Sequence, residues 1–345
     1  MKSAMPELIS IDNVDIYQLP TVDNQQKGAQ FTMGDLHGNA IKLLFMLVKQ
    51  GIATHISEKD YHKLVKIYCT PTEELSTMVL AEFNAILAKI DFCCDYRIRL
   101  LGDELADRGS NDYFTLKILE KLSIYHVPIE IMVSNHGIEF IEAYETQDSF
   151  HRIMLSDELA ASMQNLQTLI TAGRVTRQEI LAIANKAYKS MLRVISYTLS
   201  ANMQEITIFS HAPIGLNTIK SLAQQQGVAY NDKTAVELAQ TIDTLNRQFQ
   251  QHAQDNTVHT LYQFNHMRDG YAGYLSCDAP FEFIMWNRQY DILERPVSQG
   301  GYQLNFVHGH DSQEKTRDNI YNLDNQLGKG RGQHIGNYTV IGEVH

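Results

Sequence analysis

Short apolar runs rich in β-branched and aromatic residues recur along the chain, and most of them end at Gly, Asp, Asn, Ser or His. This pattern predicts strands that carry polar groups at their ends. The predicted strands cover residues 30–33, 96–101, 129–133, 205–209, 281–285 and 302–307. Two later runs, residues 319–323 and 338–341, are expected to pair antiparallel and to close the domain.

Amphipathic stretches between these runs predict helices. Residues 40–49 follow the first strand directly, and residues 111–121 follow Gly109-Ser110, which we expect to cap that helix. The capping-box pattern from Thr176 to Glu179 predicts a long helix that runs towards Tyr197. Further helical stretches are residues 57–90, 157–170 and 233–253.

Strands and helices in alternation indicate an α/β fold. The 345 residues are compatible with one large domain or two smaller ones. We expect a single catalytic domain over residues 1–345, with helical insertions at about 57–90, 155–200 and 216–256.

The formal net charge of −11 argues against a nucleic-acid partner, because phosphate backbones bind Lys and Arg. No apolar run is long enough for a membrane span, and the first residues lack the pattern of a signal peptide. We therefore expect a soluble protein without a classical export signal. It would be cytoplasmic, unless a specialised secretion route delivers it elsewhere.

The four cysteines, Cys69, Cys93, Cys94 and Cys277, match neither a zinc ribbon nor a disulfide framework. Cys93 and Cys94 precede a predicted strand, so buried free thiols are expected there.

Six polar side chains at predicted strand ends supply only oxygen and nitrogen donors. They are Asp35, His37, Asp103, Asn135, His211 and His310. Such a mixed donor set suits Mn, Fe or Zn better than Mg or Ca alone. Asp35 and His37 lie two positions apart, so at the end of an extended strand they can point the same way.

The motifs around these residues resemble the ordered signature of the calcineurin-like metallophosphoesterases. The elements are Gly34-Asp35-Leu36-His37-Gly38-Asn39, then Gly102-Asp103 with Asp107-Arg108-Gly109, and then Ser134-Asn135-His136. Asp-Arg-Gly is typical of the phosphoprotein phosphatase branch. Later elements that resemble this branch are Ser210-His211-Ala212-Pro213, Trp286-Asn287-Arg288 and Val307-His308-Gly309-His310. The resemblance extends over roughly residues 29–342, and its weight lies in six elements in the right order.

The resemblance implies a two-sheet sandwich flanked by helices and two divalent metal ions, with Mn favoured and Fe or Zn open. Asp35 and His37 would bind one ion, Asp103 would bridge both, and the other ligands would be Asn135, His211 and His310. A metal-bridged hydroxide would attack phosphorus in line. Arg108 and Arg288 would bind the phosphate, His136 would protonate the leaving oxygen, and Asp107 would orient His136.

The chain departs from the family pattern at two of these motifs. Four positions separate Asp103 from Asp107, where the family has three. This expansion could separate Asp107 from His136 unless a local bulge absorbs it. Ser134 also stands where the family has Gly. At the last motif, His308 and His310 share one strand face, and we favour His310 as the ligand.

The implied activity is phosphomonoester hydrolysis on a phosphoprotein, at Ser/Thr or Tyr. The expanded Gly-Asp-Glu-x-x-Asp-Arg-Gly-Ser segment and the helical insertions are similar to the Wip-type effector phosphatases that some intracellular bacteria inject into host cells. Two alternatives remain open. One is a dinucleoside polyphosphate or nucleotide hydrolase, and the other is a catalytically weak pseudophosphatase that acts as a binding module. A nuclease is disfavoured by the acidic charge.

Overall fold

The computed structural model describes residues 7–23, 29–152, 156, 158–262, 279–330 and 332–344. Its strands are β1 (Glu7–Asp15), β2 (Ala29–Met33), β3 (Ala53–Thr54), β4 (Asp91–Phe92), β5 (Arg97–Leu100), β6 (Ile129–Met132), β7 (Leu192–Arg193), β8 (Ser196–Leu199), β9 (Glu205–Phe209), β10 (Ser298–Gln299), β11 (Tyr302–His308), β12 (Ile320–Asn322) and β13 (Ile335–Val344).

The α-helices are α1 (Ala40–Lys49), α2 (Glu58–Cys69), α3 (Thr77–Lys89), α4 (Asp112–Ile124), α5 (Gly137–Thr146), α6 (Ala161–Thr171), α7 (Arg177–Ile183), α8 (Lys189–Met191), α9 (Leu216–Gln225), α10 (Ala235–Asp255) and α11 (Pro280–Trp286). A π-helical turn, Ala184–Tyr188, joins α7 to α8, and 3₁₀ turns occupy Thr72–Glu74 and Val258–Leu261.

The larger sheet has six strands in the order β1-β13-β2-β5-β6-β7. Strands β2, β5, β6 and β7 run parallel, so their carboxyl ends lie at one edge of the sheet. Met33 pairs with Leu100, and Leu100 pairs with Ile131. This register brings the segments that follow β2, β5 and β6 side by side.

A second sheet has five strands, β10-β11-β9-β8 with β12 attached to β11. Strands β9 and β11 are parallel, and Phe209 pairs with Val307 at their carboxyl ends. Strands β3 and β4 form a separate two-stranded sheet.

The two larger sheets contact each other directly. A buried apolar cluster joins Leu101 and Met132 of the first sheet region to Phe209 and Val307 of the second. Arg99 of β5 is fully buried, and its guanidinium lies 3.6 Å from the ring centre of Phe209. Burial of these side chains fixes how the carboxyl ends of strands from both sheets face each other.

The predicted strands 30–33, 96–101, 129–133, 205–209 and 302–307 are confirmed within a residue or two, and helix 40–49 is confirmed in full. The prediction for residues 281–285 is wrong, because they belong to helix α11. The predicted pairing of residues 319–323 with 338–341 is also wrong. Strand β12 pairs parallel with β11, and β13 lies in the other sheet between β1 and β2.

The helix predicted to run from Thr176 towards Tyr197 ends at Met191. The chain then forms β7 and β8, so the range 155–200 is not helical throughout. Thr176 does cap α7, since its side chain accepts the Glu179 N–H. The cap of α4 is Asn111 rather than Gly109-Ser110. Cys93 is half-buried and Cys94 is exposed, so the expectation of buried thiols is wrong for Cys94, and Cys277 lies outside the described residues.

Among the described residues, none of the helices combines the length and apolar character that crossing a membrane requires.

Candidate active site

The turn after β2 leads the chain from the sheet edge into α1. His37 and Gly38 have positive φ angles of 57° and 65°, and Asn39 then caps α1 by accepting the Lys42 N–H at 2.9 Å. The Gly38 N–H donates to the Asp103 carbonyl at 2.7 Å, which links this turn to the next one. Asp35 and His37 are thereby held beside Asp103.

Glycine is required where these turns meet. A Cβ at Gly109 would lie 1.7 Å from the Gly38 carbonyl oxygen, so no larger residue fits between the two loops. The Asp107-Arg108-Gly109 motif can therefore approach the first motif at backbone contact distance.

The turn after β5 absorbs the additional residue of the expanded motif. Asp103 and Ala106 adopt positive φ angles of 54° and 55°. The Asp112 carboxylate accepts the Ala106 N–H at 3.0 and 3.1 Å, which fixes this bend. As a result, Asp107 Oδ1 lies 3.6 Å from His136 Nε2, so the expansion does not separate the two side chains.

Ser134 connects two of the turns. Its buried hydroxyl accepts the N–H of Asp103 at 2.9 Å and the N–H of Gly137 at 3.0 Å. Both donors would otherwise be buried without an acceptor, so this side chain supports the loops that carry Asp103, Asn135 and His136.

One cluster of potential ligand atoms comes from Asp35, Asp103 and His211, which lie within 4.8 Å of one another and are buried. His211 Nε2 is 3.5 Å from Asp103 Oδ1 and 2.8 Å from Asn135 Oδ1. Four of the six predicted ligands therefore meet at this point.

A second cluster, adjacent to the first, is formed by His37, Asp103 and Asp107, again within 4.8 Å. Asp103 is common to both clusters, as the sequence motif predicts for a bridging carboxylate. His37 Nδ1 lies 3.2 Å from Asp107 Oδ2.

The imidazole rings are oriented by backbone carbonyls. His37 Nε2 lies 2.7 Å from the Asn325 carbonyl oxygen, and His211 Nδ1 lies 2.8 Å from the Leu101 carbonyl oxygen. A carbonyl can only accept, so these nitrogens carry the proton. The other ring nitrogen faces a carboxylate, Asp107 for His37 and Asp103 for His211, and a nitrogen fixed in this way by its ring partner is typical of metal-ligating histidines.

His310 and His308 have different surroundings. The His310 backbone N–H donates to Asp35 Oδ2 at 2.9 Å, and its ring centre is 4.8 Å from that of His211. His308 Nε2 instead lies 3.0 Å from the Glu314 carboxylate. Only His310 of this pair adjoins the Asp35 cluster.

Several buried atoms in the clusters have no hydrogen-bond partner within the described part of the chain. They are Asp35 Oδ1, Asp103 Oδ1, His310 Nε2 and Asp324 Oδ1. Burial, together with the nearby Asp324 and Asp103, raises the pKa of Asp35 well above its usual value, and burial lowers the pKa of His310. Converging carboxylates and neutral imidazoles without partners fit divalent cations, which would satisfy these atoms.

Asp107 lies between three cationic or potentially cationic groups. Burial by itself would raise the pKa of Asp107, but His136, His37 and Arg108 hold it well below its usual value. Arg108 Nη1 donates to Asp107 Oδ1 at 2.7 Å. Burial opposes the charge on His136, yet Asp107 and Asp103 raise the pKa of His136 above its usual value. His136 Nδ1 lies 2.9 Å from the Ala106 carbonyl, so this nitrogen carries a proton.

Arg288 is an exposed residue just beyond α11. Burial and then His211 are the larger causes of the lowered pKa of His310, and the positive charge of Arg288 lowers it further. The neighbouring Trp286 packs edge-on against His310, with ring centres 6.3 Å apart. Arg288 is therefore on the same side of the molecule as the clusters.

Sequence reasoning missed a buried lysine beneath the site. Lys42 Nζ donates to the Asp35 carbonyl at 2.6 Å, to Asn325 Oδ1 at 3.1 Å and to the Leu327 carbonyl at 2.8 Å. Burial lowers the pKa of Lys42 to about 8, although Asp35 and Asp324 oppose this shift. The lysine ties α1 to the segment after β12, and thereby holds the carbonyl that orients His37.

Comparison with known proteins places these features in a family. Residues 97–329 match the family model described as WipA-like, phosphatase domain. That range includes Asp103, Asn135, His211 and His310, and it begins after Asp35 and His37. No curated protein matches the chain.

A solved structure supports the same relationship. The crystal structure of the phosphatase domain from the Legionella effector WipB is 37% identical in sequence, with a TM-score of 0.76. The alignment covers 85% of this chain and 100% of that one. The chain therefore belongs to the family of WipA-like phosphatase domains.

Proposed function

We propose that this phosphatase is a metal-dependent phosphomonoesterase of the calcineurin-like, phosphoprotein phosphatase type, with one catalytic domain over residues 1–345 that carries helical insertions. The observation that supports this best is the meeting of Asp35, Asp103 and His211, whose ligand atoms lie within 4.8 Å of one another in a buried position. Asn135 and His310 adjoin this cluster, and His37 adjoins it through Asp103.

In this proposal, Asp35 and His37 would hold one divalent cation, Asn135, His211 and His310 would hold another, and Asp103 would be shared between them. The two cations, with Mn favoured and Fe or Zn open, would supply an activated water and positive charge at the phosphate. The carbonyls of Asn325 and Leu101 keep the ligand histidines in the tautomers that this requires.

The remaining residues bind the substrate and move a proton. Arg108 and Arg288 hold phosphate oxygens, because a guanidinium matches them in charge and geometry. His136 donates a proton to the leaving oxygen, and Asp107 keeps His136 charged and oriented. The raised pKa of His136 supports this role, since it favours the protonated ring that a proton donor needs.

We propose a phosphoprotein as the substrate, at Ser/Thr or Tyr. We also propose that the chain acts as an effector inside a host cell, because the similar WipB domain belongs to a Legionella effector. The net charge of −11 favours a protein over a nucleic-acid substrate.

The test is hydrolysis of p-nitrophenyl phosphate by the full chain with added Mn²⁺. We expect Asp103→Asn and His136→Ala each to lower kcat by about 100-fold or more with an unchanged circular dichroism spectrum. His62→Ala, which removes only a hydrogen bond to Gln18, is the matched control and should retain full activity. Full activity of His136→Ala would remove this residue from the proton-donor role. Faster turnover of diadenosine tetraphosphate than of every member of a phosphopeptide panel would favour the nucleotide hydrolase.

A further inference from the structure

A cavity of about 420 Å³ opens beside Arg108, outside the carboxylate–histidine clusters. Its walls include Arg108 and Ser110, the end of α2 with Tyr68 and Cys69, and the start of α6 with Ala161 and Asn165. We call it the α2–α6 cavity. Its volume is in the range of binding sites for small ligands or for a few amino-acid side chains.

The α2–α6 cavity is held in shape by both helices. Tyr68 Oη accepts the Ser110 N–H at 3.1 Å, and Asn165 Nδ2 donates to the Ser110 carbonyl at 2.6 Å. Ser162 of α6 binds the Asp107 backbone on both sides, at 3.0 Å to its N–H and 2.9 Å to its carbonyl. Side chains and backbone of two helices that lie outside the sheets therefore fix the segment that carries Arg108.

The two walls are also tied to each other. Arg174, just beyond α6, donates to the carbonyls of Thr72 and Glu73, just beyond α2, at 2.6 and 2.7 Å. The space between α2 and α6 is therefore a preformed feature rather than a gap between independent helices, and a ligand would meet little ordering cost.

The lining indicates the chemical class of the ligand. Arg108 is the one charged side chain among the lining residues that the structure describes, and the others are Tyr, Asn, Ser, Cys, Ala and Gly. A polyphosphate chain would need several cations along its length. Amide and hydroxyl groups beside aromatic rings instead suit the mixed polar and apolar surface of a peptide.

Arg108 connects the cavity to the reaction site. Its side chain is 30% exposed, binds Asp107 at 2.7 Å and also lines the cavity. A phosphate held by Arg108 would therefore have its attached chain at the mouth of the cavity. We propose that the α2–α6 cavity binds the peptide residues that flank the phosphorylated side chain. This inference rests on the proposed protein phosphatase function. It assigns the selection of the peptide substrate to the α2–α6 cavity.

The test fills the cavity from either wall. Ala161→Trp adds a large side chain at the start of α6, and Cys69→Trp does so from the exposed end of α2, where no core packing is disturbed. With the full chain and Mn²⁺, we expect KM for the best substrate of a phosphopeptide panel to rise about tenfold or more in each variant, while kcat/KM for p-nitrophenyl phosphate stays within about twofold. Ala81→Trp, on an exposed position of α3 that does not line the cavity, is the matched control.

Binding separates this inference from the proposed function. Anisotropy of the same peptide carrying a fluorophore, with chelator present, should show a Kd about tenfold weaker in both Trp variants. An unchanged peptide Kd and KM would overturn the inference, and so would an equal loss for peptide and p-nitrophenyl phosphate. A loss confined to diadenosine tetraphosphate would overturn it in favour of a nucleotide subsite. A wild-type chain that binds the peptide but hydrolyses neither substrate would refute the proposed function alone.

Discussion

Gly309 lies where any side chain would collide with a proposed metal ligand. A Cβ at this position would be 1.9 Å from Asp35 Oδ1 and 3.0 Å from Asp35 Cγ. Real Cβ contacts are essentially never below 3.0 Å, so Gly309→Ala must push the carboxylate oxygen away by about 1 Å. Asp35 Oδ2 is also bonded to the His310 N–H at 2.9 Å, so this movement disturbs both residues at once.

The expected effect is mainly on metal binding. Metal–ligand distances tolerate only about 0.2 Å, so a displacement of about 1 Å removes Asp35 as an effective ligand. Loss of outer-shell support alone weakens metal binding by about 10- to 100-fold. We therefore expect the Mn²⁺ Kd of Gly309→Ala to rise by about 100-fold or more, which corresponds to about 3 kcal/mol. Overpacking should also lower the free energy of unfolding of the metal-free protein by about 1–3 kcal/mol.

Isothermal titration calorimetry with Mn²⁺ measures the first effect, and urea unfolding with chelator measures the second. Gly336→Ala is the matched control, because its Cβ would have its nearest neighbour at an ordinary 3.5 Å. It should bind Mn²⁺ as the wild type does. If Gly309→Ala kept the wild-type Mn²⁺ affinity and hydrolysed p-nitrophenyl phosphate at the wild-type rate, Asp35 would not be a metal ligand and the proposed centre would be wrong.

Three further predictions concern buried polar groups around the site. Burial and nearby carboxylates raise the pKa of Asp35, so a charge at this position destabilises the metal-free fold. In urea unfolding at about pH 8, metal-free Asp35→Asn should therefore be more stable than metal-free wild type by about 1 kcal/mol or more. Mn²⁺ should no longer raise the Tm of this variant. Burial raises the pKa of Glu104 to about 8, which exceeds its ordinary 4.5, so the folded chain keeps a proton that the unfolded chain releases. The free energy of unfolding should therefore fall between about pH 5 and 8. In Glu104→Gln, whose side-chain oxygen can still accept from Tyr188, the slope of unfolding free energy against pH should be flatter by up to about 1 kcal/mol per pH unit. An unchanged slope would contradict the raised pKa of Glu104. Ser134→Ala leaves two buried N–H groups without an acceptor and should lower both the unfolding free energy, by about 2 kcal/mol, and the activity. The control Ser57→Ala, which removes the cap of α2 at the surface, should lower the unfolding free energy and leave the activity unchanged.

The elements that carry the candidate site were the most predictable from the sequence. Strands β2, β5, β6, β9 and β11 have buried apolar runs that end at polar motifs, and parallel strands bring such ends to one edge. Position at the ends of β2 and β5 was therefore enough to expect Asp35 and Asp103 to converge, whereas the meeting with His211 of the second sheet was expected only from the family resemblance. The ligand roles themselves stay predictions.

Helix α11 was missed for a local reason. The run from Phe281 to Trp286 is apolar and aromatic, which is ambiguous between a buried strand and a buried helix. Pro280 is at the first position of the helix, where the missing N–H is harmless, and it was the signal for a helix start. The partners of β12 and β13 depend on long-range contacts that a local pattern does not contain.

Lys42 could not have been recognised as a site residue from its own surroundings. A lysine in the first turn of a helix is normally solvated. Its three acceptors include Asn325 and Leu327, nearly 300 positions away, so its burial follows only from the completed fold.

The expanded loop between Asp103 and Asp107 shows how spacing and geometry can diverge. One additional residue would shift Asp107 along the chain by more than 3 Å if the backbone stayed extended. The positive φ angles of Asp103 and Ala106 coil that length into a bend instead, and Asp112 satisfies the N–H that the bend exposes. The Ala106 carbonyl then meets His136 Nδ1 at 2.9 Å, which places the other ring nitrogen within 3.6 Å of Asp107. The extra residue thus becomes part of the support of His136, and this contact weakens the case for a pseudophosphatase.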